Sequence, residues 1–297
     1  MAPSAPDRVA VVSDVHGNAT AYRAVLDDIA RRGITAIVNL GDIVGKGPRG
    51  AEATELTRRR CIASVRGNWE TYVAGPGEPF DEASAWWRAE LAAGHRAWLT
   101  ALPGAIDLLM SGRRIRLVHA SAVDEFTRVR RDHDEAEFAG MFANTAFTAD
   151  AVVLGRGSSG EGSSALSGLS GPFVMSASEA AGAPGAWALA GLEPTVVLYG
   201  DIHHAYLEIA DGRTLGNVGS VGNPLDEPVA AYAVLEGVLD GGAPAPFSIQ
   251  HVRLPYDVEA EIAAASVAGM PQLEPYAIEL RTAIHRGRHA ELGLTAP

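Results

Sequence analysis

Apolar runs and amphipathic stretches alternate along the opening of the chain. "RVAVVS" (8–13) is a continuous apolar run bounded by polar residues, the pattern of a buried strand. "NATAYRAVLDDIARRG" (18–33) follows, with Ala21, Val25, Leu26 and Ile29 on one helical face, Asn18 as N-cap and Gly33 just past the C-terminus. "AIVNL" (36–40) and "CIASV" (61–65) read as further buried strands separated by helical sequence. This alternation predicts a layered α/β architecture. Residues 83–102 predict one helix ending at Pro103, with Trp86, Trp87 and Trp98 as packing residues. "RIRLVHA" (114–120) and "TVVLYG" (195–200) predict strands, and "YLEIADGRTLGNVGS" (206–220) a hairpin turning at Asp211-Gly212. "AYAVLEGV" and "FSIQHVRLP" continue as strands, and two helices close the chain.

Between two of these strands lies an insertion at about 124–193. Its stretch 155–171 holds six glycines and six serines among seventeen residues, which predicts a flexible loop. Two roles are open to the insertion: a surface loop, or a lid over the site. With no repeat and no clear boundary, residues 7–297 read as one domain carrying this insertion.

Composition narrows the partners. The chain has 297 residues, 47% hydrophobic and 20% charged, enough to bury a sizeable core. No apolar run approaches the roughly 20 residues a membrane-spanning helix needs, and "MAPSAPDR" lacks the features of a secretory signal. Cys61 is the single cysteine, which excludes an internal disulfide and a cysteine-ligated cluster and fits a cytoplasmic location. A net charge of −12 disfavours a long nucleic acid. The basic runs "RRR" (58–60) and "RVRR" (128–131) read as solvated faces. A small phosphorylated substrate remains compatible with this balance.

Five polar clusters follow strand-like runs: "SDVHGN" (13–18), "LGDIVGKGP" (40–48), "RGNWE" (66–70), "VHAS" (118–121) and "YGDIHH" (199–204). Ligand sites of layered α/β folds gather at the carboxyl ends of strands. Asp14, His16, Asp42, Asn68, His119, Asp201 and His203 are therefore candidates for a single crevice. Carboxylate, imidazole and amide donors without thiolate suit Mn2+, Fe or Mg2+, with Zn2+ also open. Seven donors are too many for one tetrahedral ion and about right for two, which together activate water and hold a phosphoryl oxygen.

In order and type these motifs resemble the calcineurin-like metallophosphoesterases, whose signature runs Asp-x-His, Gly-Asp, Gly-Asn-His, His and Gly-His-x-His. The resemblance is closest to the bacterial branch grouped with diadenosine tetraphosphatase-like and YfcE-like phosphodiesterases. It is carried also by "GNVGSVGNP" and "VRLPYDVE" and covers roughly residues 7–285. It implies a four-layer α-β-β-α sandwich, two mixed β-sheets flanked by helices, and two divalent metal ions, with Mn2+ the leading choice. It further implies that Asp14, His16 and His203 bind the first ion, that Asn68, His119 and Asp201 bind the second, and that Asp42 bridges them. Asp42 and Asn68 are thereby part of the catalytic centre. The implied activity is hydrolysis of a small phosphoester or phosphoanhydride, preferably nucleotide-type, through attack by a metal-bridging hydroxide.

This chain departs from the signature twice. Asp201 stands where the family has histidine, either as a harder ligand or as a residue facing water beside a weak second site. Trp69 replaces the histidine of Gly-Asn-His and cannot donate a proton, which favours good leaving groups. Its indole is open to stacking on a base or to packing over the metals. His204 is the candidate replacement proton donor, and Glu70 a candidate for orienting a ligand or water. Arg66, Lys46 and Arg49 lie beside the motifs as candidate phosphate contacts, and "NVGSVGNP" (217–224) is a weak candidate anion cradle. His95, His133, His251, His285 and His289 receive no role. The competing reading is a catalytically faded scaffold of the same fold, and the oligomeric state stays open.

Overall fold

The computed structural model describes residues 6–156, 172–175 and 192–295. Twelve strands are found among them: β1 (Asp7–Val12), β2 (Ala36–Asn39), β3 (Ala63–Ser64), β4 (Ala105–Met110), β5 (Arg113–Val118), β6 (Val152–Arg156), β7 (Pro172–Met175), β8 (Val196–Tyr199), β9 (Tyr206–Ala210), β10 (Arg213–Asn217), β11 (Ala230–Gly237) and β12 (Ser248–Leu254). They form a five-stranded sheet in the order β12-β11-β1-β2-β3 and a seven-stranded sheet in the order β7-β6-β4-β5-β8-β10-β9. Both sheets are mixed. In the first, β1, β2 and β3 run parallel; in the second, β5, β8 and β10 do.

Strand alternation decides the layers. Val9 and Val11 of β1 face one way and pack with Val38, Leu108, Leu117, Leu198 and Leu235 between the sheets. Ala10 and Val12 face the other way, against Tyr22, Val25, Leu26 and Ile29 of helix Ala19–Arg31. Asn18 caps that helix through the Ala21 N–H, as its sequence predicts. On the outer face of the second sheet, Val129, Phe138, Met141 and Phe142 cover Val118, Val197, Tyr199 and Leu215. The result is the expected sandwich of two mixed sheets flanked by helical layers. No helix among the described residues is long and apolar enough to cross a membrane.

Two local expectations change. The helix predicted over 83–102 is two helices, Glu82–Ala89 and Ala93–Thr100. Leu91 turns into the core and Ala92 is extended at ψ 157°, so burial overrides helical periodicity there. The insertion is also more built than its loop reading. Val129, Phe138, Met141 and Phe142 are part of the core, and β6 extends the second sheet parallel to β4. Arg116 is fully buried and braces this layer by pairing with Asp107 and donating to the Ala143 carbonyl at 2.9 Å. Of the predicted Gly/Ser loop, residues 157–171 lie outside the described residues, as do residues 176–191 of the insertion read as a possible lid.

The turn after β9 keeps its prediction: Asp211 and Gly212 both have positive φ, 51° and 72°, the geometry of a two-residue hairpin turn.

Candidate metal centre

The predicted donors sit at the carboxyl ends of the parallel strands. Asp14 and His16 follow β1, Asp42 follows β2, Asn68 follows β3, His119 follows β5, and Asp201 and His203 follow β8. The chain leaves these strands in a strained zigzag. Asp14, His16, Asp42, Lys46, Asp201 and His203 all have φ between 48° and 64°. Each such non-glycine residue costs on the order of 1–3 kcal/mol, so the surroundings must impose it. They do so through a backbone lattice: Asp14 N–H donates to Gly41 O at 3.0 Å, His16 N–H to Asp42 O at 2.8 Å, and Gly222 N–H to Asp14 O at 2.9 Å. Gly67 permits a close approach, since a Cβ there would lie 2.3 Å from Asp42 Oδ1.

The three histidines share one orientation. Nδ1 of His119 donates to Leu40 O at 2.8 Å, Nδ1 of His203 to Asn223 O at 2.5 Å, and Nδ1 of His16 to Val44 O at 3.3 Å. A carbonyl oxygen only accepts, so each Nδ1 carries a proton and each Nε2 is the ring atom turned toward the centre. His16 Nε2 and His203 Nε2 lie 3.2 Å apart. His119 Nε2 is buried without a hydrogen-bond partner. Donor atoms of Asp14, His16, Asp42 and His203 fall within 4.8 Å of one another.

Asp42 stands between two groups of donors. Its Oδ2 is 3.5 Å from His16 Nε2 and its Oδ1 is 3.4 Å from His119 Nε2. On the His119 side, Asp201 Oδ1 lies 4.0 Å from Nε2 and accepts from Asn68 Nδ2 at 3.1 Å. Asp14, Asp42 and Asp201 are all buried.

The electrostatics match this crowding. Burial pushes the His119 pKa down, but Asp42, then Asp14 and Asp201, hold it up at about 10. Burial, with the charge of Lys46, keeps His16 well below its usual range. Burial opposes ionisation of Asp201, yet Arg128 outweighs it and the carboxyl lies below the usual range. Buried carboxylates gathered around inward-facing imidazole nitrogens fit a divalent cation, which can take the place of the proton that the carboxylates hold on His119.

Other candidate residues divide. Lys46 stays at the site, with Nζ 3.3 Å from Asn223 Oδ1 and 5.8 Å from the Trp69 ring centroid. His204 lines the adjoining cavity, with Nδ1 donating to Ile202 O at 2.6 Å. Arg66 and Arg49 are placed elsewhere, contrary to their expected phosphate contacts. Arg66 donates to Glu125 at 3.0 Å and to the Leu102 carbonyl at 3.2 Å, tying down a helix end. Arg49 is bound to buried Glu261 and to Thr20. Neither lines the cavity; neighbours in sequence here project in different directions.

Trp69 packs. Its half-buried ring meets Trp87, His16, Tyr72 and Phe80 edge-on at 5.3–6.3 Å between centroids and lies over Gly45, where a Cβ would be 2.1 Å from the indole. What it brings to the centre is its backbone N–H, which donates to Asp42 Oδ1 at 2.9 Å. Trp69→Phe should therefore cost about 1–3 kcal/mol of stability through lost volume and alter kcat/KM for a nucleotide substrate by less than about fivefold. Thermal melts and steady-state kinetics check this; a large rise in KM confined to base-bearing substrates, at unchanged stability, would instead put the ring on the substrate.

Three features escaped the sequence reading. The arginines of "RVRR" are exposed, as read, but they also border the site: Arg128 donates Nε and an Nη to the two Asp201 oxygens at 2.7 and 2.8 Å, and Arg130 and Arg131 line the cavity. His285, given no role, lines it as well. The loop 217–224 is a brace rather than an anion cradle. Its Val221 and Gly222 N–H groups go to Ser13 and Asp14 carbonyls, the Gly219 and Asn223 N–H groups go to side-chain oxygens, and Ser220 Oγ donates to Asp14 O at 2.8 Å.

Comparison with known proteins agrees with the architecture and the motif order. A metallophosphoesterase from Sphaerobacter thermophilus superposes with a TM-score of 0.59 at 23% identity, covering 94% of this chain and 99% of that one. A hypothetical protein from Pyrococcus horikoshii gives a TM-score of 0.61 at 15% identity over 94% and 98% of the two chains. At such identities these structures share the fold. A curated relative from Methanocaldococcus jannaschii, itself uncharacterised, is 36% identical over 119 residues, 38% of this chain and about half (49%) of that protein. The family profile of the calcineurin-like phosphoesterases matches residues 7–205, more than half of the chain and all five motifs. The chain belongs to the calcineurin-like phosphoesterase family.

Proposed function

We propose that the protein is a metal-dependent phosphohydrolase acting on a small phosphoester or phosphoanhydride of nucleotide type. The observation that carries this is the common orientation of His16, His119 and His203, each held through Nδ1 by a backbone carbonyl with Nε2 turned toward buried carboxylates. Asp14, His16 and His203 would hold one divalent ion, and Asn68, His119 and Asp201 a second, with Asp42 serving both. Mn2+ suits this oxygen- and imidazole-rich set best. When bound, such ions supply Lewis acidity toward a phosphoryl oxygen and acidify water near neutral pH.

The chain's own residues do the rest. Lys46 and Arg128 place positive charge at the edge of the donor cluster, where phosphoryl oxygens would lie. His204, fixed by the Ile202 carbonyl with its ring on the cavity wall, would in its imidazolium form keep Nδ1–H on that carbonyl and give its Nε2 proton to a leaving oxygen, the task Trp69 cannot perform. Support for a nucleotide-type substrate comes from Tyr72, Phe80 and Phe126. These rings pack on one another beyond Trp69 at 5.6 Å between centroids and remain exposed, a surface suited to a planar base.

The test is product analysis by 31P NMR with nucleotides, dinucleoside polyphosphates, sugar phosphates and simple diesters. Hydrolysis should be lost on chelation and return with Mn2+. The competing reading, a faded scaffold, is favoured by one contact: Arg128 already engages both Asp201 oxygens. No product with any metal, and fewer than two ions per chain by elemental analysis, would establish that alternative.

A further inference from the structure

The cavity that opens on Asp201 and His203 has a volume of about 690 Å3, the size that takes a drug-sized ligand rather than a lone phosphate. Its wall is basic although the chain as a whole carries −12. Lys46, Arg128, Arg130, Arg131 and Arg288 face it, against only Asp132 and Asp201. Two of these cations already serve the cluster, Arg128 through Asp201 and Lys46 through Asn223. The other three come from two distant segments of the chain. Among the described residues no ion pair engages Arg130 or Arg131, and Arg288 has only an exposed contact with Glu291 at 3.9 Å. His285 lies on the same wall.

We propose that Arg130, Arg131 and Arg288 form a second anion subsite, which takes a phosphate group of the substrate other than the one being cleaved. The preferred substrates are then small molecules bearing at least two phosphates. This rests on the phosphohydrolase reading and adds the substrate's charge to it. Three exposed guanidinium groups thus share one concave wall, and guanidinium pairs well with phosphate oxygens. A long polynucleotide fits the same charges less well, because beyond this wall it meets a strongly acidic protein.

The experiment compares adenosine 5′-monophosphate with adenosine 3′,5′-bisphosphate on the Mn2+-loaded full chain. The parent should favour the bisphosphate in kcat/KM. The double substitution Arg130→Ser and Arg131→Ser should lower that preference at least tenfold, mainly through KM, and Arg288→Ser at least threefold. A preference that both variants leave within twofold, or an equal loss on both substrates, would overturn the subsite while leaving the phosphohydrolase intact. Calorimetric binding of the bisphosphate to an inactive Asp42→Asn background gives a readout that needs no turnover. There, arginine-dependent binding sustains the subsite even if no hydrolysis is found. Tighter, arginine-dependent binding of a ten-nucleotide RNA than of the bisphosphate would assign the wall to polynucleotide and overturn the proposal.

Discussion

Asp42→Asn should lower turnover by at least about a thousandfold, equivalent to roughly 4 kcal/mol of transition-state stabilisation, while leaving the metal-free protein folded. Asp42 is the residue that reaches both donor groups, His16 through Oδ2 and His119 through Oδ1. In the proposed centre its charge serves both ions, and asparagine removes that charge without changing the shape. Two features protect the fold. Asparagine tolerates the φ of 53° found at this position, and its amide oxygen still accepts from the Trp69 N–H. The substitution also removes one of three buried carboxylates that repel one another without a cation. The chelated variant should therefore melt within a few degrees of the chelated parent, by ~1 kcal/mol or less. Metal content should fall below that of the parent. Initial rates, elemental analysis and thermal melts read these three quantities separately. Retention of a tenth or more of the parent activity would remove Asp42 from the centre of the mechanism.

Much of this site was legible because its donors are local to strand ends. A continuous apolar run announces a buried strand, and the polar cluster after it has one place to go, the carboxyl edge of the sheet. Asp14, His16, Asp42, Asn68, His119, Asp201 and His203 all followed that rule. What failed was inference from adjacency alone. Arg49 and Arg66 neighbour the motifs in sequence, yet Glu261 and Glu125, 212 and 59 residues away, hold them off the cavity. Arg128 shows the converse. It lies 73 residues from Asp201, in a run read as surface, and only the packing of Val129 and Phe138 on the second sheet brings it there. The packed first part of the insertion was not legible for a related reason. Its Gly/Ser composition dominates the eye, while the sparse apolar positions Val129, Phe138 and Phe142 that anchor its first part show no regular period.

Glu70→Gln should be the most destabilising single change near the site, about 3–5 kcal/mol, a value built from the cost of leaving buried N–H groups without charged acceptors. Glu70 is fully buried directly after Trp69. Its Oε2 accepts from Asp42 N–H at 2.8 Å and Gly67 N–H at 2.7 Å, and its Oε1 accepts from Ile43 N–H at 2.8 Å and from Val44 N–H at 3.4 Å. One carboxylate thus ties the loop bearing Asp42 to the loop bearing Asn68. Burial, and then the nearby Asp42 charge, push its pKa up to about 7, while the Gly67 and Asp42 N–H groups pull it down. A carboxamide is nearly isosteric, but whichever way it turns, its NH2 confronts two backbone donors. For a chain of this length the loss corresponds to a drop of about 10 °C in Tm. Because Asp42 and Asn68 would then no longer be held in register, metal affinity should also fall by about 10–100-fold. Differential scanning calorimetry of the chelated protein isolates the first effect, and Mn2+ titration the second. A variant that melts within about 2 °C of the parent would show that the two loops hold together without this clamp; a normal Tm with weakened Mn2+ binding would place Glu70's role in the metal centre instead of in its scaffold.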